Sequence, residues 1–202
     1  SVGDRLVIAG IAVDLAIPNA ADGSTLVISG FNSIPISVAD DPGFHWTDRT
    51  NGTKPLLNSV VWSGSQFVAV GDESIFYIPG GWYGAYSIFT SPDGSIWTEQ
   101  TTTTGTPRDL RGVASSGSQL VAVGTHSILT SGDGQEWAEQ SLGTPAILYS
   151  VVWSGSQFVA VGVSYMTVGS VQTSPDGITW TSQTLPAAVQ LDSITWSGTQ
   201  YV

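Results

Sequence analysis

Short apolar runs alternate along this chain with Ser-Gly and Asp-Gly breaks, and the run Phe67 to Gly71 (FVAVG) is apolar at consecutive positions. A strand with one wet face would alternate with period two, so an unbroken run predicts a strand covered on both faces, as between stacked sheets. Around it the pattern predicts four short strands. Ser59 to Trp62 is the first, Ser63-Gly64 makes the turn, and Gln66 to Val70 is the second. Ser87 to Thr90 is the third, and Trp97 opens the fourth. Between these last two, Ser91-Pro92-Asp93-Gly94 has Pro at the second and Gly at the fourth turn position, which predicts a type I turn closing a tight hairpin. No stretch carries a sustained 3.6-residue apolar period, so essentially no helix is expected.

The pattern repeats. SVVWSGSQFVAVG at Ser59 to Gly71 returns almost unchanged at Ser150 to Gly162, and in weaker form at Gly112 to Gly124 and Ser193 to Val202. Interleaved with it are SPDGSIW ending at Trp97, SGDGQEW ending at Trp137 and SPDGITW ending at Trp180. Two motifs recurring in fixed order make each repeat one small structural unit that buries its core only by stacking on its neighbours.

S-x-D-G-x-x-W between the third and fourth strands of a four-stranded unit resembles the Asp-box, or BNR, repeat of sialidase-like β-propellers, and in particular non-catalytic bacterial members with the FVAVG strand. The resemblance covers roughly residues 22 to 202. Three copies are one residue shorter than the family's S-x-D-x-G-x-x-W, whereas Ala39 to Trp46 (ADDPGFHW) keeps the longer spacing and lacks the Ser. The resemblance implies an all-β propeller of four-stranded antiparallel blades, with blades near 5–50, 56–101, 108–141 and 147–184 and a partial one at 189–202. Residues 5 to 14 are expected to form the first strand of the first blade. In that family the box is a folding element, which implies structural roles for Asp41, Trp46, Asp93, Trp97, Asp133, Trp137, Asp176 and Trp180. The Asp accepts backbone N–H bonds across its turn and the Trp packs between blades. A chain ending inside a repeat is expected to be a fragment of a larger propeller, or to pair its edge near Tyr201 with its own N-terminal segment around Arg5 to Gly10 or with another chain.

Charge narrows the functions. Five basic residues stand against sixteen acidic ones, and a net charge of −11 excludes a nucleic-acid partner, whose phosphates it repels. Only 10% of residues are charged, so the surface is built of Ser, Thr, Gly and Gln, as in secreted or cell-envelope proteins. Cysteine is absent, which removes disulfides and thiolate metal sites, and no cofactor is expected. No apolar run approaches the length of a membrane span.

The eight Trp invite a carbohydrate-binding reading, since aromatic faces stack on sugars. Yet Trp62, Trp153 and Trp196 share one repeat position and Trp46, Trp97, Trp137 and Trp180 another, and periodic placement points to packing. Trp82 breaks the period. It lies in DESIFYIPGGWYGAY, Asp72 to Tyr86, which replaces a three-residue link, Thr125 to Ser127, in the next repeat. An insertion carrying Tyr77, Trp82, Tyr83 and Tyr86 is a candidate recognition loop, and the competing reading has it pack over an exposed sheet face. His126 is a further candidate on the same side of the molecule, without a placed partner for a metal site. A sialidase site would need three arginines clamping a carboxylate, and the chain has four in all, with Arg108 and Arg111 nearly adjacent. The expectation is therefore a non-catalytic extracellular or cell-envelope binding or assembly module with a protein partner. The alternatives are a lectin-like module using the aromatic loop to take a glycan, and a fragment of a glycoside hydrolase.

Overall fold

The computed structural model describes residues 6–8, 11–13, 56–72, 76–78, 81–83, 86–100, 109–142, 145–164, 168–183, 185 and 189–202. Among them the fold is all-β with no helix. β1 (Leu6–Ile8) pairs with β2 (Ile11–Val13) in a two-stranded hairpin. A four-stranded antiparallel sheet follows, in the order β3 (Leu56–Trp62), β4 (Phe67–Asp72), β7 (Tyr86–Ser91), β8 (Thr98–Gln100). Between β4 and β7 a second hairpin, β5 (Phe76–Ile78) with β6 (Gly81–Tyr83), is inserted. The middle sheet runs β9 (Leu110–Ser115), β10 (Leu120–Gly124), β11 (Ser127–Ser131), β12 (Ala138–Gln140). The third runs β13 (Ala146–Trp153), β14 (Phe158–Ser164), β15 (Val168–Ser174), β16 (Thr181–Gln183).

Stacking explains the unbroken apolar runs. Leu120 and Ala122 of β10 join Val68, Val70 and Ile88 of the first sheet in one core, while Val121 and Val123 join Phe158 and Ala160 of the third sheet in another. Each strand position therefore meets protein on either side, and all five residues of β10 are buried. Polar ties lock the stack at fixed repeat positions. Ser59 Oγ accepts from Val113 N at 3.3 Å, and Ser150 Oγ accepts from Ile194 N at 3.4 Å. Gln66 Nε2 donates to Asp133 O at 2.6 Å, across from the first sheet to the middle one.

A glycine near the end of each of these second strands has a specific task. A Cβ on Gly71, Gly124 or Gly162 would overlap the carbonyl oxygen of Leu56, Asp109 or Ile147. The missing side chain lets the first strand press in, and each first strand carries a bulge at that level, skipping Asn58, Arg111 and Tyr149 from the pairing register.

Two expectations need correction. The turn at Asp93 is wider than a four-residue type I hairpin, because Thr90 pairs with Thr98 and Trp97 lies in the loop rather than in β8. Side-chain hydrogen bonds, described below, replace ladder bonds there. Residues 5 to 14 do not form a single strand, since Leu6–Ile8 turns back on Ile11–Val13. Among the described residues, β1 and β2 form a separate two-stranded sheet. At the other end, Thr195 and Val202 exchange backbone hydrogen bonds of 2.9 and 3.0 Å, and Trp196 packs on Tyr201, so the fourth repeat copy folds on itself.

Candidate functional site

The three Ser-x-Asp-Gly turns share one construction. Asp93 Oδ1 accepts from Ser95 N at 2.8 Å, Asp133 Oδ1 from Gln135 N at 2.9 Å and Asp176 Oδ1 from Ile178 N at 2.8 Å. Each carboxylate also takes the next N–H, and each Ser hydroxyl takes the glycine N–H at 2.8 Å. The glycines Gly94, Gly134 and Gly177 sit at positive φ, which a side chain would strain. The indole N–H of Trp97, Trp137 and Trp180 donates back to the glycine carbonyl. Backbone N–H donors favour the ionised carboxylate, so all three Asp are held below the ordinary value. Trp137 is buried against the first sheet, while Trp97 and Trp180 are half-buried. Within each turn the carboxylate, hydroxyl and indole thus bond to the turn's own backbone.

Chemistry gathers at the opposite end of the sheets, where β4 ends and β7 begins. Asp72 pairs in register with Tyr86, and the hairpin β5–β6 springs from between them. Tyr77 stands opposite Trp82 in its register, and Phe76 opposite Tyr83. The side chains of Tyr77, Trp82, Tyr83 and Tyr86 lie outside the described residues, as do Asp41 and Trp46. His126 takes a left-handed backbone with φ 54°, donates its N–H to Ala146 O at 2.9 Å and holds the tight link from β10 to β11.

Beside the hairpin's base lies a cavity of about 340 Å³, lined by Leu56, Asn58, Asp72, Asp109, Arg111 and Tyr149. The three bulged residues are thus delivered to one place by three successive first strands. Arg111 is ion-paired with Asp109 and lies 5.1 Å over the Tyr149 ring. Asn58 Nδ2 donates to Leu110 O at 2.7 Å and to Asp72 Oδ1 at 3.3 Å. Loss of water around Asp72 raises its carboxyl above the ordinary value, the Asn58 bond opposes this, and the neighbouring Asp109 charge adds to it. Arg111 Nε is buried with no hydrogen-bond partner among the described residues.

Of the predicted site residues, His126 does not line this cavity. The cavity residues escaped the sequence reading. The signal was present, however, because Asn58, Arg111 and Tyr149 directly precede a segment that otherwise repeats nearly letter for letter. Among the described residues no three His, Cys, Asp or Glu are placed to hold a metal, and no helix is long and apolar enough to cross a membrane. No protein-family model matches the chain, and no curated protein matches it.

Proposed function

We propose that this chain is a non-catalytic, extracellular or cell-envelope β-propeller of the Asp-box type, serving as a protein-binding or assembly module. Its binding face is the end of the sheets that bears the β5–β6 hairpin. The observation that carries this reading is the division of labour between the two ends. One end holds Asp turns of one shared construction, whereas the other holds the features that differ from repeat to repeat: the hairpin and the bulge residues. Loops and strand ends that vary on a constant scaffold are where binding residues concentrate. The non-catalytic part of the proposal is supported by the arginine count, four in all, with Arg108 and Arg111 nearly adjacent, against the three that a sialidase-type carboxylate clamp needs.

The test is an immobilised chain screened against a library of extracellular proteins, in parallel with the double variant Trp82→Ala, Tyr83→Ala. A partner retained by the parent and lost by the variant, at unchanged melting temperature, is the expected result. Equal binding by both proteins, or steady release of aglycone from aryl glycosides, would overturn the proposal.

A further inference from the structure

Structural positions in this chain repeat. Ser59 and Ser150 are identical, and the hydroxyl of each accepts a backbone N–H from the next repeat copy. The position just before them does not repeat, reading Asn58, Arg111, Tyr149 and, in the fourth copy, Asp192. A bulge takes its residue out of the ladder and re-aims its side chain, so these positions are relieved of pairing duty. Three of them converge on one cavity, whose volume of about 340 Å³ is at the small end of small-molecule sites.

The chemistry of the lining selects the ligand class. Two carboxylates face one guanidinium, and Asp109 already neutralises that guanidinium. The remaining charge on Asp72, within a chain of net charge −11, repels anions. A metal cation meets Arg111 in the wall. A neutral ligand that both donates and accepts is matched on each count. Asn58 spends its amide N–H groups on Leu110 O and Asp72, leaving its carbonyl to accept, while the Arg111 side chain is 39% exposed and has guanidinium N–H groups beyond the Nη2 paired with Asp109. Asp72 adds a further carboxylate acceptor, and Leu56 and the Tyr149 ring supply apolar surface for a C–H face. Adjacent hydroxyls on a pyranose ring combine these requirements.

We infer that the cavity is a binding site for one neutral monosaccharide unit, held by the bulge residues Asn58, Arg111 and Tyr149 together with Asp72. This rests on the reading of that end as the binding face, and adds to it a ligand and a site separate from the hairpin aromatics.

Saturation-transfer NMR and calorimetry on the 202-residue chain test it. The probes are methyl α-D-mannopyranoside, methyl β-D-galactopyranoside and methyl N-acetyl-β-D-glucosaminide, with methyl β-D-glucuronide and CaCl2 alone as comparators. At least one neutral glycoside is expected to bind with a Kd on the order of 1 mM, as befits so small a ligand. Asp72→Asn, which keeps the side-chain shape, and Arg111→Leu should each weaken it roughly tenfold, the loss of one charged hydrogen bond. Trp82→Ala, Tyr83→Ala should leave it unchanged. Binding of the glucuronide or of calcium in preference to every neutral glycoside, or no binding at all, overturns the inference. So does sugar binding lost in the hairpin variant and kept in both cavity variants. Hairpin-dependent protein binding without saccharide binding would sink the cavity alone, whereas loss of both readouts would sink the reading of the face as well.

Discussion

Trp137→Ala is the sharpest test of how the sheets hold together. The side chain is 4% exposed and shares a core with Val68, Val70 and Ile88 of the preceding sheet. Its indole N–H donates to Gly134 O at 2.9 Å in a buried bond. Truncating a buried Trp to Ala costs roughly 3–5 kcal/mol through lost transfer energy and the cavity left behind. Within that total, about 1 kcal/mol reflects the hydrogen bond, since the glycine carbonyl loses its donor. For a chain of this size the cost corresponds to a melting temperature lower by roughly 6–20 °C. Calorimetry and urea denaturation followed by circular dichroism measure it, and Trp137→Phe should recover a large part by refilling the space. Trp97→Ala and Trp180→Ala should cost less, because both residues are half-buried. A Trp137→Ala protein melting within a degree or two of the parent would show that the turn tryptophans do not tie one sheet to the next.

The remaining predictions address the turns, the bulge and the hairpin. Asp93, Asp133 and Asp176 are held below the ordinary value of 3.8, so their stabilisation is complete above that pH and is lost as pH falls through their lower folded values. Stability curves should therefore drop in that acid range, and a triple Asp→Asn variant at these positions should flatten the drop. Asp72 has the opposite sign, because its raised value makes the ionised form a cost at neutral pH that acidification removes. Asp72→Asn is accordingly expected to melt at or above the parent temperature at pH 7, and a clear loss would refute the desolvation argument. Gly124→Ala places a methyl group on the Asp109 carbonyl and should either abolish folding or cost about 2 kcal/mol or more in urea titrations. The double change Trp82→Ala, Tyr83→Ala should leave the melting temperature within about 1–2 °C, given that a 1 kcal/mol change is worth only a few degrees. A large loss would mean that the hairpin packs on the sheets.

Much of the architecture could be read from local chemistry, because repeats report on themselves. An unbroken apolar run such as LVAVG at Leu120 to Gly124 requires cover on both faces, and Ser-Gly and Asp-Gly pairs mark where the chain must turn. Of the four expected units and a partial one, those at 56–101, 108–141 and 147–184 are four-stranded sheets near the expected boundaries with no helix among the described residues, while most of 5–50 lies outside those residues. The width of the Asp93 turn was not readable, since backbone turn rules do not anticipate a carboxylate and a hydroxyl taking over the ladder's N–H groups. The hairpin inside Asp72 to Tyr86 was visible as an insertion, but its register was not.

What the sequence determined by itself was the unit: four strands, two turn chemistries and, in three copies, a glycine after the apolar run of the second strand. What only the tertiary structure decided was where the units point their exceptions. Asn58, Arg111 and Tyr149 are scattered over more than ninety positions of the chain. They meet because stacking sets the first strands side by side and because Gly71, Gly124 and Gly162 admit a bulge at the same height in each. Periodicity is a local property and survives in one dimension, whereas a cavity is a convergence of distant residues and exists only once the sheets have packed.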